Sequence, residues 1–90
     1  MAAKQYEVVI KLVSNLRPCH SGHKIGDEWV FGNFTPANMC SLAYNALYPM
    51  ALVLSTGGTF TWQEDPDVVT LACPDGDVHN IFELRRREKK

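Results

Sequence analysis

The chain has 90 residues, of which 46% are hydrophobic and 21% charged, with a formal net charge of −1. A chain of this length buries only roughly 60–65% of the surface its unfolded form exposes, which allows one modest core and one domain, folding alone or as a small oligomer. The balance excludes a disordered or membrane-embedded chain, and charges of both signs spread along the sequence give no broad positive field for nucleic acid.

The longest apolar run, residues 46–54, is broken by Tyr48 and Pro49 and falls far short of the roughly 20 residues a membrane span requires. Lys4, Glu7 and Lys11 interrupt the hydrophobic residues at the amino end, so a secretory signal is not expected and the cytoplasm is the default location. The three cysteines, Cys19, Cys40 and Cys73, form an odd set. In that compartment they are expected as reduced thiols, not as a disulfide framework.

In chain order, Tyr6, Val8, Ile10 and Leu12 alternate with Glu7, Val9 and Lys11, the period of a strand over residues 5–13. Residues 14–26 carry Pro18, Gly22, Gly26, two histidines and a cysteine, too many turn formers for a regular element. A short strand is expected over Glu28–Phe31, between Gly26-Asp27 and Gly32-Asn33. Thr35-Pro36, with Asn38 as a second cap candidate, predicts a helix running to about Leu54. Leu42, Ala43, Ala46, Leu47, Met50 and Leu54 form its apolar stripe. Pro49 is expected to kink or split it, because proline removes a backbone donor and crowds the carbonyl four residues back.

Gly57-Gly58 supplies the helix stop. Two further strands, residues 68–72 and 78–84, should form an antiparallel hairpin across Cys73-Pro74-Asp75-Gly76-Asp77. His79 then alternates with apolar residues as an exposed strand residue. The expected fold is α+β: a small antiparallel sheet of about four strands against one main, proline-kinked helix. The domain covers residues 1–84, and residues 85–90 follow as a solvated basic tail.

The densest polar constellation is Cys19-His20-Ser21-Gly22-His23. Thiol and imidazole are the usual ligands of zinc and iron. No paired Cys-x-x-Cys cluster accompanies them, so the spacing by itself is weakly specific. Cys40 lies at the helix start, where unpaired backbone amides and the helix dipole favour a thiolate. Cys73 ends a strand just before the turn. Three sulfurs at element ends, not inside elements, point to a shared site, because cysteine acting as a small hydrophobe tends to be buried within an element.

Asp75 and Asp77 flank Gly76 but lack the later ligands and closing glutamate of a calcium loop, and are expected as turn residues. Gly57-Gly58 lacks the lysine of a phosphate loop. Trp29, Phe31, Phe34, Phe60 and Trp62 are expected mainly as core or lid aromatics.

Taken together, these residues resemble a family of small, uncharacterised bacterial and archaeal proteins of about this length. A Cys-x-x-Gly-His-x-x-Gly-Asp pattern is matched by Cys19, Gly22, His23, Gly26 and Asp27. A Pro-x-x-x-Cys-x-x-Ala pattern is matched by Pro36, Cys40 and Ala43, followed by Tyr48-Pro49, Gly57-Gly58 and Cys73-Pro74-Asp75. Ser41 departs from the proline that follows the cysteine in many members, which implies a less rigid helix start. The resemblance spans nearly the whole chain and implies a compact fold and a motif set, but no reaction.

Three functions remain open from the residues. In the first, Cys19, Cys40 and Cys73 with His23 or His20 bind zinc or an iron–sulfur cluster in an accessory or redox protein; with zinc–sulfur bonds of about 2.3 Å the sulfurs must converge to about 4 Å. In the second, Cys40 is the nucleophile of a small enzyme with His23 or His20 as base. In the third, a metal-free interaction module docks a partner through a sheet edge or the loop from Phe60 to Trp62. The expected partner is another protein or a small ligand, and neither membrane nor nucleic acid.

Overall fold

In a computed structural model, which describes residues 6–19 and 21–88, the alternation along the strands is realised as a sheet with one apolar face. The elements are β1 (Tyr6–Ser14), β2 (Glu28–Phe31), α1 (Ser41–Ser55), β3 (Val68–Ala72) and β4 (Ile81–Glu88). The sheet runs β2-β1-β4-β3, every pairing antiparallel. The fold is therefore α+β with a four-stranded antiparallel sheet and one helix.

Register sorts the side chains. Ile10 pairs with both Trp29 and Leu84, Leu12 with Phe82, and Val69 with Leu84. These residues, with Val8 and Phe31, form the buried face, onto which α1 packs Ala43, Leu47, Ala51 and Leu54. Each large side chain so buried contributes about 1.5–3 kcal/mol relative to exposure. The opposite face carries Lys11 across from Glu28 and Glu83, and Glu7 across from Arg87, the polar side of an antiparallel sheet solvated on one face.

β2 and β3 occupy opposite edges, and α1 is the crossover between them. The helix therefore runs over the apolar face. Its buried residues fall at positions 43, 47, 51 and 54, so the stripe expected from sequence is displaced: Leu42 is 48% exposed, and Ala51 takes an inward place. Pro49 does not split α1. Both Pro49 and Asn45, whose carbonyl loses its donor, are exposed, which leaves that carbonyl on the hydrated side of the helix.

The helix begins at Ser41, not at the Thr35-Pro36 or Asn38 signals; Cys40 is the N-cap residue, and Asn38 adopts a left-handed backbone (φ 63°) that starts no helix. The stop falls where the glycines placed it. Gly57 takes φ +90°, and Gly58 N–H donates to the Val53 carbonyl at 2.9 Å. A Cβ on Gly58 would lie 2.6 Å from Val53 Cγ1.

The last strand differs most from expectation. β4 starts at Ile81 because residues 75–79 form a turn, with Asp75 Oδ1 accepting from the N–H groups of Asp77 (3.0 Å) and Val78 (3.3 Å). His79 is exposed as expected, but in that turn with φ 56°. At the other end, the segment expected to fray as a basic tail is strand through Glu88. Arg85 pairs with Asp65 at 3.1 Å and Arg87 with Glu7. Arg86 points inward, its side chain 8% exposed and paired with Asp67 at 2.9 Å. Its Nη1 donates to the carbonyls of Gly58 (2.6 Å) and Leu54 (3.3 Å), and the guanidinium lies 5.0 Å from the Tyr6 ring centre. It thus satisfies carbonyls at the helix C-terminus with a positive charge, the favoured sign there. Trp29 and Phe31 are core residues and Phe60 packs, partly buried, against the core, whereas Phe34 (86%) and Trp62 (65%) are exposed.

Arg86→Met should retain the fold but lose these charged hydrogen bonds, lowering stability by about 2 kcal/mol. Urea unfolding monitored by circular dichroism measures it; a change within about 0.5 kcal/mol, the range of an ordinary surface substitution, would refute the clamp.

Candidate functional site

One end of the sheet gathers three irregular segments. The loop of residues 15–27 leaves β1 and returns beside it: Gly26 N–H donates to the Leu12 carbonyl at 2.8 Å, and Leu12 N–H to the Asp27 carbonyl at 3.0 Å. Leu16 N–H reaches the Val78 carbonyl at 2.9 Å, tying this loop to the β3–β4 connection. That connection is closed by Cys73 N–H donating to the Asn80 carbonyl at 2.9 Å. The third segment is the start of α1.

Within the loop, Gly22 N–H donates to the Cys19 carbonyl at 3.0 Å, a turn that Gly22 completes with φ +82°. The turn is followed by His23, half-buried, whose ring packs edge-on against Trp29 with centroids 4.7 Å apart. Its Nε2 accepts the backbone N–H of Cys40 at 3.1 Å. The imidazole thereby satisfies the amide at the N-cap, while the Cys40 carbonyl receives the first helical bond, from Tyr44 N–H at 2.9 Å. His20 lies outside the described residues.

Cys19, His23, Cys40 and Cys73 line one cavity of about 90 Å³, together with Ser21, Asp75 and Asn80. The topology thus brings together the four residues singled out from sequence. All three cysteines are free thiols; Cys73 is buried, and Cys19 and Cys40 are half-buried. As they stand, no group of three or more histidine, cysteine, aspartate or glutamate side chains among the described residues is arranged to hold a metal ion. Asp75 and Asp77 are turn residues, and one carboxylate oxygen of Asp75 is committed to that turn.

The sulfurs differ electrostatically. The Ser21 hydroxyl, followed by the first-turn N–H of Ala43, holds the Cys40 thiol below its ordinary pKa, against the opposing effects of burial and of Asp75. The N–H of Leu42, also in the first turn of the helix, adds to the lowering. Burial pushes the Cys73 thiol up, and the negative charge of Cys40, Asp75 and Cys19 adds to the rise despite a backbone hydrogen bond from Asp75.

One residue of this cavity was not singled out from sequence. Asn80 is 2% exposed, the one buried polar residue among those described, and its Oδ1 has no hydrogen-bond partner among them. An orphaned buried acceptor costs about 1–3 kcal/mol. A signal was present: Asn80 shares the parity of the inward-facing Phe82 and Leu84, so it is a polar residue at a core position. No family model matches the chain, and no curated protein or solved structure matches it.

Alkylation by iodoacetamide at neutral pH should modify Cys40 ahead of Cys73, because the thiolate is the nucleophile and the two pKa values are displaced in opposite directions. Time-resolved peptide mass spectrometry reads the order, and equal rates would show that the Ser21 and helix contacts do not activate Cys40.

Proposed function

We propose that the cavity lined by Cys19, Cys40 and Cys73 is a thiolate site for a soft metal centre, a zinc ion or an iron–sulfur cluster, in a small accessory or redox protein. What supports this is convergence: three sulfurs from a loop, a helix N-cap and a strand end share one cavity. A volume of about 90 Å³ is well above the roughly 10–15 Å³ a single water requires, and it suits one ion better than a bulky cluster. Burial is the main cause of the raised Cys73 pKa, and the negative charge of Cys40, Asp75 and Cys19 that adds to it is what a bound cation would relieve. Loading requires side-chain movement from the positions described above. It also requires loss of the thiol protons, which ties affinity to pH.

A second reading, Cys40 as the nucleophile of a thiol enzyme, draws support from its lowered pKa. His23 is poorly placed as its base, because the hydrogen bond its Nε2 makes goes to the Cys40 backbone N–H.

Metal and sulfide analysis of protein purified without oxygen separates the two. Stoichiometric zinc or iron that disappears in Cys40→Ser and Cys73→Ser is the expected result. Zinc at 100 times its dissociation constant should then stabilise the wild type by about 2.7 kcal/mol, a rise in Tm of roughly 10–20 °C for a domain of this size. Colourless, metal-free protein that no added zinc or iron stabilises overturns the metal reading, and fast, selective alkylation of Cys40 in that protein favours the enzyme.

A further inference from the structure

The stripe of α1 that covers the sheet is accompanied, one position later at each turn, by a second one. Residues 43, 47, 51 and 54 are buried; beside them Tyr44, Tyr48, Leu52 and Ser55 share the wall of a pocket with Phe31 of β2 and the connection after it. A helix flank left to water is normally polar. This one is mostly aromatic and aliphatic, and its large side chains stay open to solvent: Tyr48 is 43% exposed and Leu52 42%, while Phe34 on the connection is more exposed still. Exposed apolar groups gathered in one place mark a binding site more often than a bare surface.

The pocket encloses about 440 Å³, within the roughly 300–1,000 Å³ of small-molecule sites. All three tyrosines of the chain line it, Tyr6 from β1 beside Tyr44 and Tyr48, together with two of its four phenylalanines. The Tyr48 ring meets Phe31 edge-on with centroids 5.7 Å apart, and Tyr44 at a tilt, also at 5.7 Å. Rings inclined to one another in this way receive a further ring by offset stacking or edge-on contact. Gly32 lines the same pocket, and a Cβ built on it would meet nothing within 4 Å, so the backbone is open there to close approach.

Charge narrows the occupant. None of the described residues lining the pocket is charged, so an ionic ligand would lose its water with no partner to replace it. A cation is further disfavoured by the Arg86 guanidinium, already 5.0 Å from the ring centre of Tyr6. An anion gains nothing from Arg86, because that charge is paired with Asp67 and donates to the carbonyls of Gly58 and Leu54. The hydroxyls of the tyrosines, Thr35 and Ser55 suit the polar edge of a flat molecule whose faces meet the rings.

We propose that this pocket binds an uncharged, flat aromatic molecule with a polar edge, stacked among Phe31, Phe34, Tyr44 and Tyr48. It shares no lining residue with the thiol cavity, so it stands or falls independently of the metal reading. It gives the chain a small-molecule ligand, and it gives a use to aromatic side chains that the core does not bury.

2-Naphthol is the probe, titrated into the nitrogen-15-labelled full chain and followed by two-dimensional NMR. The backbone amides of Gly32, Thr35, Tyr44 and Tyr48 should shift saturably, with a Kd of about 1 mM or tighter for a probe of this size. N-methylquinolinium, flat but cationic, and decahydro-2-naphthol, uncharged but saturated, should each bind about tenfold more weakly. Tyr48→Ala, at a half-exposed helix position that alanine suits, should keep the wild-type circular dichroism and lose about tenfold in affinity for 2-naphthol. No saturable shift, or shifts confined to residues outside the pocket, overturns the proposal. Equal binding of N-methylquinolinium overturns the uncharged class, and equal binding of decahydro-2-naphthol overturns the stacking. Dimeric elution with broadening of these amides and no response to 2-naphthol would place a second copy of the chain in the pocket and overturn it as well. The probe titration needs no variant, so it decides the matter even if Tyr48→Ala does not fold.

Discussion

Everything at the cavity depends on a geometric constraint: a single helix must cover the apolar face of a sheet and also link its two opposite edges. α1 has no freedom to lie elsewhere, because without Ala43, Leu47, Ala51 and Leu54 the strand residues from Val8 to Leu84 would face water. Its ends are then fixed by two polar contacts of opposite sense. At the start, an imidazole nitrogen accepts the Cys40 amide; at the finish, the Arg86 guanidinium donates to the carbonyls of Leu54 and Gly58. Each supplies what the helix end lacks, an acceptor for N–H groups and a donor for C=O groups. The first contact is also the one that sets Cys40 beside the loop bearing Cys19 and His23.

The same constraint gives the cavity its electrostatic character. A helix N-terminus contributes partial positive charge, yet Asp75 opposes it, and three sulfurs share the space. The Ser21 hydroxyl lowers the pKa of Cys40, whereas burial raises that of Cys73. Asn80, with its orphaned oxygen, lines the same cavity.

Much of the fold was legible because the strongest signals are local. Residues 6–12 alternate except at Val9, and paired glycines after a long apolar stretch admit little besides a helix end. The misreadings arose where tertiary contacts outweigh local chemistry. Thr35-Pro36 and Asn38 carry better capping side chains than Cys40, but the cap is decided by the His23 acceptor seventeen positions away, which no local rule contains. Leu42 outranks Ala51 in hydrophobicity, yet close approach of helix and sheet selects the small residue. In β4 the charges concealed the strand period: Glu83, Arg85 and Arg87 face solvent, and Arg86 turns inward to a site built by the helix end. The site itself was half legible. Cysteines at element ends stand out in any sequence, whereas Asn80 becomes visible only once the inward parity of β4 is known and its oxygen is found without a donor.

The cavity is mounted on loops, yet its backbone is held independently of any ion. Leu12, Leu16 and Gly26 donate hydrogen bonds that fix the Cys19 segment, Cys73 N–H closes the hairpin on Asn80, and α1 carries Cys40. Of the proposed ligands only Cys73 belongs to the hydrophobic core. In a small zinc finger the metal supplies the folding energy, and the apo chain is unfolded. Here the core lies on the sheet face beneath α1, so an ion at the sheet end would organise side chains, not the fold. A centre that can lose its ion without unfolding the protein can exchange ligands, or the ion itself, within the native state. Under the proposed metal reading, that property would fit an accessory or reactive site more than a structural one, because the hydrophobic core is built without the polar end of the sheet.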